Sequence, residues 1–593
     1  MLTNSISRYL LFGVWSVLLL SLTSSAYMLD AKRYKALFKL QPYRSAIVAN
    51  YEDAYIKQAT LLNLNQNINR WYLLEMVDHR GRSTIVNLMS TSSEYNLALG
   101  DNSATLLIDT NGTGTTHCSM TEEIIPSWRQ RHRNRSAYKS ICNDKILMVF
   151  HRDGYQRGVE KGAEIVRWLG GDFGEDIVNG VKRIFFEDRY RIKDDNKTTG
   201  EVGKTDRTPL PGADVAPRYK EKSLSAYTLG LKRAGSQKRL LAGRWYRLKN
   251  FPECYASIIM PGMVSKVILN SYRDRVNRLD GIERNSMAYL MALSLDRYTL
   301  GWGHGTDHPG VGWSSRARNI KKDNPWGPDG FNSMSPLVPL GHVPPYEWSR
   351  TIGTFSAGFQ KRHGAFRYGP LSTYAKAHHY GFMQDGVMLV TPSTELATVI
   401  IYKDGKVEMK CWTEEDYNRT SQMRFIRQNG VPLIHPNTPE SKAACGEDAG
   451  TPTDENLTVG IPGKWVKHWG AGNWSGSVDR QLRTPRGAAC IMPVGGVDYL
   501  VYAYFSSATP SAMARVLQAY GCRFAMHLDM NSPGQAYGAL VRPGKDNNQM
   551  STELLVTDMD EYMGGGSQSA PRYFMKPDYK DFFYILKKRE GDQ

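Results

Sequence analysis

The chain has 593 residues, 41% hydrophobic and 22% charged, and its 75 Lys and Arg against 58 Asp and Glu give a net charge of +17 at pH 7. This length predicts roughly two to four domains, and the composition excludes a disordered or collagen-like chain. The basic balance favours an anionic partner, but the charge is scattered in short runs such as 129–135 and Lys587-Lys588-Arg589, as on a solvated face.

Arg8 precedes an apolar run, Tyr9–Leu22, and small residues follow at Ser24 and Ala26. The pattern predicts a secretory signal peptide over 1–26, with an uncleaved signal anchor as the alternative. The run is short for a spanning helix, which needs about 20 apolar residues. The remainder of the chain is therefore expected outside the cytoplasm, in the periplasm, secreted, or held to the membrane only through an uncleaved N-terminal segment. Seven cysteines (118, 142, 254, 411, 445, 490 and 522) contain no CxxC pair, which argues against a zinc ribbon. In an exported chain they are expected to pair with one left over, and Cys118–Cys142 and Cys490–Cys522 are the preferred pairs. Several Asn-x-Ser/Thr sequons occur, for example at Asn196 and Asn473.

Residues 27–195 read as a mixed N-terminal α/β domain without recognisable chemistry. Ile146–Phe150 predicts a buried strand ending at an Asp153-Gly154 turn. Val159, Ala163, Val166 and Leu169 recur at helical spacing until Gly170-Gly171. Residues 196–225 are polar, with Gly, Pro and Thr, and read as a linker. The main domain spans 226–560, with Thr438–Leu457 as a surface insertion. Residues 561–593 read as a tail, broken by Gly564-Gly565-Gly566, whose Phe582-Phe583-Tyr584 cluster is expected to dock on a neighbour.

Within the main domain, Ala397–Tyr402 and Val407–Trp412 flank an Asp404-Gly405 turn, which predicts a hairpin. Ala489–Val494 and Tyr499–Phe505 flank Gly495-Gly496 and predict a second. Thr509 then caps a helix with Pro510 at its first position. Met513, Val516, Leu517 and Tyr520 form its apolar stripe, and Gly521 ends it. Phe524–Leu528 is the next strand, with Asp529 at its C-terminal end, a common way to present a catalytic side chain.

Four segments between Leu295 and Val541 carry a resemblance. They are Val343-Pro344-Pro345 with Phe355-Ser356-Ala357-Gly358-Phe359; Asp385-Gly386 with the first hairpin and Glu414–Asp416; Arg427-Gln428-Asn429 before Val431–Ile434; and Arg483-Thr484 with Gly487-Ala488, the helix and Leu528-Asp529-Met530-Asn531-Ser532. In this order they resemble the phosphodiester glycosidase family, in its bacterial branch, whose animal member uncovers mannose 6-phosphate by removing N-acetylglucosamine. Ser356 stands where that family has Asn, and the spacing from Arg483 to Gly487 is wider than usual.

The resemblance implies an α/β (α+β) fold, a mixed and largely antiparallel sheet with flanking helices. It also implies an exported hydrolase that cleaves the sugar–phosphate linkage of a glycosyl phosphodiester in an envelope or extracellular glycan. Such chemistry expels a phosphate monoester, so the site needs a cationic grip on phosphate more than a strong general acid. Arg483 is the expected phosphate clamp, with Arg427 second. Asp529 is the expected base or nucleophile, and Asn531 the third catalytic residue. Asn429, Ser356, Gly358, Thr484 and Ser532 are expected to contact substrate. No cofactor is called for, and a divalent metal is left open. Gly303-His304-Gly305-Thr306-Asp307-His308 has a metal-like look, but the glycines argue against the helix that two histidines four apart would need. His527 is read as a core histidine. An anionic glycan or sugar phosphate is the expected partner and nucleic acid is not, since no aromatic–basic repeat occurs. The alternative reading is a non-catalytic protein on the same fold that binds an envelope glycan or organises envelope assembly.

Overall fold

The computed structural model describes residues 45–112, 114–130, 138–150, 192–194, 208–235, 238–306, 338–358, 381–390, 392–448, 460–467, 483–542, 550–557, 559, 562–563, 569–574 and 576–589. The signal segment, the Asn196 and Asn473 sequons, the Asp153-Gly154 turn, the 159–169 helical stripe, Phe359 and His308 lie outside them. The described residues fall into two compact units, one made by 45–150 and the other by those from 192 onward apart from Thr306 and Val338. Antiparallel sheets dominate both, as in an α/β or mainly β protein.

In the first unit a six-stranded sheet runs in the order Ser45–Asn50, Gln58–Asn63, Trp71–Val77, Ser83–Ser90, Ile146–Val149, Tyr138–Ile141. Alternate residues Tyr72, Leu74 and Met76, then Val86 and Leu88, then Ile146 and Met148 share one core with Leu106 and Ile108 of a separate three-stranded sheet. That is the period of two expected of half-buried strands. The predicted Cys118–Cys142 disulfide forms between the Thr115–Ser119 strand and the turn after Tyr138–Ile141.

The second unit contains an eight-stranded sheet whose central members are Ala288–Ser294, Val497–Ala508, Thr484–Val494, Phe524–Met530 and Pro432–His435. Ala288–Ser294 and Phe524–Met530 are buried at every position, so neither shows the alternation of burial found in a half-buried strand, and the second buries His527 and Asp529 within it. The Gly495-Gly496 hairpin forms as predicted, with φ of 59° and 86° at its two glycines, the left-handed pair that a tight hairpin turn requires. Thr509 caps the Pro510–Ala519 helix by accepting from the Ala512 N–H at 3.4 Å. This helix returns the chain to the Phe524–Met530 strand, which Cys490–Cys522 and a third disulfide-bearing loop, Cys411–Cys445, help to frame. Cys254 is the free, buried thiol. Three disulfides place the chain in an oxidising compartment. No helix among the described residues is long and apolar enough to cross a membrane.

Two expectations change. Part of the stretch read as a linker is built into the second unit: Ser223–Ser225 pairs with Arg239–Leu241, and Val215 bridges Val264. The stretch read as a tail supplies a central strand. Phe582–Lys587 lies between Tyr298–Gly303 and Thr351–Ser356 in a five-stranded sheet, where its aromatic run is fully buried. The Thr438–Leu457 insertion also contains a helix, Pro439–Ala444, capped by Thr438.

Candidate functional site

The Thr351–Ser356 strand runs into Ala357 and Gly358. A Cβ on Gly358 would lie 2.7 Å from Arg427 Nη2 and 2.7 Å from Asn429 Oδ1, so only glycine permits this approach. Arg427 is fully buried at the end of the Met423–Gln428 strand. Its Nε donates to Asp581 Oδ2 at 2.8 Å, and its guanidinium carbon lies 4.4 Å from the centre of the Phe382 ring. A charge-assisted bond and a cation–π contact thus fix the fork in place. Asn429 Nδ2 donates to the His527 carbonyl at 2.5 Å and so ties this loop to the Phe524–Met530 strand.

That strand is irregular at the residue that matters. Met530 pairs with Arg486 and His527 with Ala488, so Leu528 and Asp529 together oppose Gly487. The extra residue makes a β-bulge, a device that re-aims a side chain. Asp529 Oδ2 accepts from Lys580 Nζ at 2.7 Å, and Oδ1 from the Met530 N–H at 2.8 Å. Both partners of the ion pair are buried, Lys580 at 1% and Asp529 at 5% side-chain exposure. Next to Lys580, Asp581 holds Arg427 and, through its backbone carbonyl, accepts from the Ala357 N–H at 3.1 Å. Arg572 and Asp578 add a buried two-point ion pair at 2.7 and 3.2 Å.

Electrostatics follow burial. Desolvation pushes the Asp581 carboxyl up, with Arg427 pulling it down and the Asp529 charge adding to the rise. Burial and then Asp529 push the Tyr502 hydroxyl well above its usual range, so it stays protonated. Burial, with Arg486 nearby, holds His527 well below the usual histidine range and hence neutral, as a core histidine would be. Burial also lowers Arg486 to about 9.

Gly358, Arg427, Asn429 and Asp529 therefore assemble through direct contacts or one shared strand. The other expected residues are engaged as follows. Ser356 Oγ accepts from the Tyr537 N–H at 3.2 Å, and its own N–H donates to the Tyr537 carbonyl at 2.9 Å. Arg483 forms an ion pair with Asp280, the capping residue of the Gly281–Arg284 helix. Arg486, three residues on, is the arginine of that strand that reaches His527, at 3.4 Å. Thr484 opens the strand opposite Ala508. Asn531 has a left-handed φ of 91°, and its N–H donates to the Pro485 carbonyl at 2.8 Å. Ser532 Oγ accepts from the Gln535 N–H at 3.2 Å and so caps the turn after the strand.

Sequence reasoning missed Lys580 and Asp581. A signal was present: Asp578-Tyr579-Lys580-Asp581 stands ahead of an apolar run, just as Arg427-Gln428-Asn429 does. For a metal, His304 is a poor candidate, since its buried ring packs 4.9 Å from Trp302 and 5.3 Å from Phe382. Among the described residues the cluster with metal-ligand spacing is Cys118, Glu123 and Cys142, whose cysteines are joined to each other. The assembled site offers a buried carboxylate paired with a buried ammonium, a second buried carboxyl paired with a guanidinium, and a glycine whose missing side chain leaves room for Arg427 and Asn429. Such a set can hold an anion and activate water.

No family model and no curated protein matches the chain. Among solved structures it is similar to the zebrafish N-acetylglucosamine-1-phosphodiester alpha-N-acetylglucosaminidase catalytic domain, auto-inhibited by its pro-peptide. The identity is 12% and the TM-score 0.28, over 66% of this chain and 96% of that one. It is also similar to a putative exported protein from Burkholderia pseudomallei, at 10% identity and a TM-score of 0.17, over 51% of this chain and 74% of that one.

Proposed function

We propose that the second unit is an exported hydrolase that cleaves the sugar–phosphate linkage of a glycosyl phosphodiester in an envelope or extracellular glycan. What supports this reading is the meeting of Gly358, Arg427 and Asn429, with Asn429 bonded to the strand that carries Asp529. Asp529 removes a proton from water as the water oxygen attacks the anomeric carbon; in the covalent variant Asp529 attacks that carbon itself, and water then hydrolyses the glycosyl ester, releasing the sugar and restoring the carboxylate. The bond from that carbon to the phosphate oxygen breaks, and the phosphate monoester leaves against Arg427 and Lys580. Arg483 and Arg427 are each paired with a carboxylate, Asp280 and Asp581, and the reading assigns the grip on phosphate to Arg427 because it lies beside Gly358 with Asn429.

The test offers the purified protein a methyl phosphodiester of N-acetylglucosamine and measures release of reducing sugar. Turnover is expected, with Asp529→Asn lowering it about 10²- to 10⁴-fold. Turnover unchanged in both Asp529→Asn and Arg427→Ala would refute the site assignment. Two points favour the non-catalytic alternative: both Asp529 oxygens are already engaged, and Ser356 has a shorter reach than the Asn of the family that the sequence resembles. Binding of an anionic glycan without release of reducing sugar would decide for that alternative.

A further inference from the structure

The Thr438–Leu457 insertion brings a second set of reactive groups together, away from Asp529. Ser441 Oγ lies 3.4 Å from His435 Nδ1, and His435 Nε2 lies 2.9 Å from Glu447 Oε1. A hydroxyl, an imidazole and a carboxylate thus stand in one hydrogen-bonded line. His435 ends the Pro432–His435 strand, whose Ile434 pairs with Ala525. At about 3.3 Å per residue, Ala525 lies more than about 10 Å along its strand from Asp529, so the two sets are separate.

The local backbone holds each group. Thr438 Oγ1 accepts from the Ser441 N–H at 3.2 Å in the first turn of the Pro439–Ala444 helix, and the Cys411–Cys445 disulfide ties down the helix's far end. The Glu447 N–H donates to the Lys442 carbonyl at 2.8 Å, which folds the chain back so that carboxylate and hydroxyl reach the same ring. Burial raises the Glu447 pKa, but its bond with His435, the Lys464 N–H and Arg275 bring it down to about 2, so it stays an acceptor. Nε2 therefore carries the proton of the neutral ring, and Nδ1 offers its lone pair to Ser441. Nδ1 also lies 3.0 Å from the Pro436 carbonyl oxygen. That oxygen only accepts, so it is a partner for the protonated ring. An imidazolium formed here has Pro436 on one side and Glu447 on the other. The His435 ring is wholly buried and Ser441 is half-buried, which leaves the hydroxyl open to solvent and its base shielded from it. Anchoring the insertion needs His435, Glu447 and Arg275, but not a hydroxyl at Ser441.

We infer that Ser441 and His435, positioned by Glu447, form a second catalytic centre, a serine esterase for esters of short acyl groups. The short acyl group follows from a nucleophile that is only partly exposed. Ser441 Oγ attacks the ester carbonyl carbon, and its proton passes to His435 Nδ1. The adduct collapses, the bond from that carbon to the alcohol oxygen breaks, and the alcohol takes the proton from Nδ1. Water, giving a proton to Nδ1, then hydrolyses the acyl-serine, releases the acid and restores Ser441. Such sets are recognised by geometry and role, not by sequence order, and the bond between nucleophile and base is often loose before substrate binds. This centre is independent of the glycosyl phosphodiester reading.

A fluorophosphonate probe and p-nitrophenyl acetate test it on the full chain. Mass spectrometry of the digested protein is expected to find the phosphonyl label on Ser441. Ser441→Ala, which deletes one half-buried oxygen, is expected to lose that label and to lower ester turnover about 10²-fold or more. His435→Gln is expected to slow labelling and turnover alike. Glu447→Gln is expected to lower kcat about tenfold and leave KM within about twofold, a split that a merely structural role would not give. No label on Ser441, wild-type turnover in Ser441→Ala, or equally fast labelling in His435→Gln would each overturn the inference. Label on Ser441 in a protein that releases no reducing sugar would support this centre and refute the phosphodiester hydrolase reading alone.

Discussion

Lys580→Met removes one charge from a pair that water barely reaches, with Nζ 2.7 Å from Asp529 Oδ2 and side chains 1% and 5% exposed. Methionine keeps the unbranched apolar stem, so the variant isolates the ammonium. Removing one partner of a buried ion pair leaves the other charge uncompensated and costs about 3–5 kcal/mol, whereas replacing both partners is often neutral. Asp529→Asn in the same background removes the stranded charge, and its amide oxygen can still accept from the Met530 N–H. The double variant is therefore expected to recover most of the loss. Urea unfolding gives the free energies, and amide exchange in the Phe524–Met530 strand reads the second unit separately from the first. A loss below about 1 kcal/mol for Lys580→Met would mean that the pair behaves as a solvated surface contact. Strict additivity in the double variant would likewise remove the argument that these two charges act on each other.

The remaining predictions concern packing, pH and covalent closure. Gly358→Ala sets a methyl 2.7 Å from both Arg427 and Asn429, so it is expected to destabilise by about 1–3 kcal/mol and to lower turnover together with it; wild-type melting and turnover would refute the close approach. Glu447 accepts from His435 Nε2 and the Lys464 N–H, both at 2.9 Å, and pairs with Arg275 at 2.8 Å. Burial raises its pKa, but these partners outweigh burial and bring it down to about 2. The folded value lies below the unfolded one of about 4.3, so the stabilisation is present at neutral pH and is lost as pH falls from about 4.3 towards 2. Glu447→Gln should flatten acid unfolding in that window, and superimposable profiles would contradict it. Replacing Cys411 and Cys445 by Ser opens a loop of sequence separation 34 and should cost about 2–5 kcal/mol, with a thermal melt insensitive to Cys445 alkylation in the wild type as the supporting control.

Local chemistry was legible in the sequence and long-range pairing was not. Gly495-Gly496 and Thr509-Pro510 state their conformations in two residues each, through positive φ and a cap, and both elements form where those residues stand. Cys118–Cys142 and Cys490–Cys522 were preferred and form; Cys411–Cys445 was hidden because Cys445 lies in a stretch whose polarity masked a six-residue helix. Arg483 looked available because its partner, Asp280, lies 203 residues away and serves a helix too short to show periodicity. The bulge at Asp529 left no trace either, since an extra residue shows only against the strand it pairs with.

The same distinction explains why the C-terminal segment was misread and why it matters. Polar residues ahead of an aromatic run resemble an appended tail until the run finds two strands to lie between. Once Ser356 pairs with Phe582, the residues just before Phe582 are carried to the end of the Thr351–Ser356 strand, where Ala357 bonds the Asp581 carbonyl. Lys580 and Asp581 then meet Asp529 and Arg427, which come from two other sheets of the unit. Side-chain reach alone does not set this arrangement; strand register does. A slip of one residue would turn the alternating faces of Phe582–Lys587 over and separate both ion pairs at once. With the aromatic run buried on both faces, burial holds the strand between its two neighbours, and the register of its pairing with Thr351–Ser356 sets both charge pairs of the site.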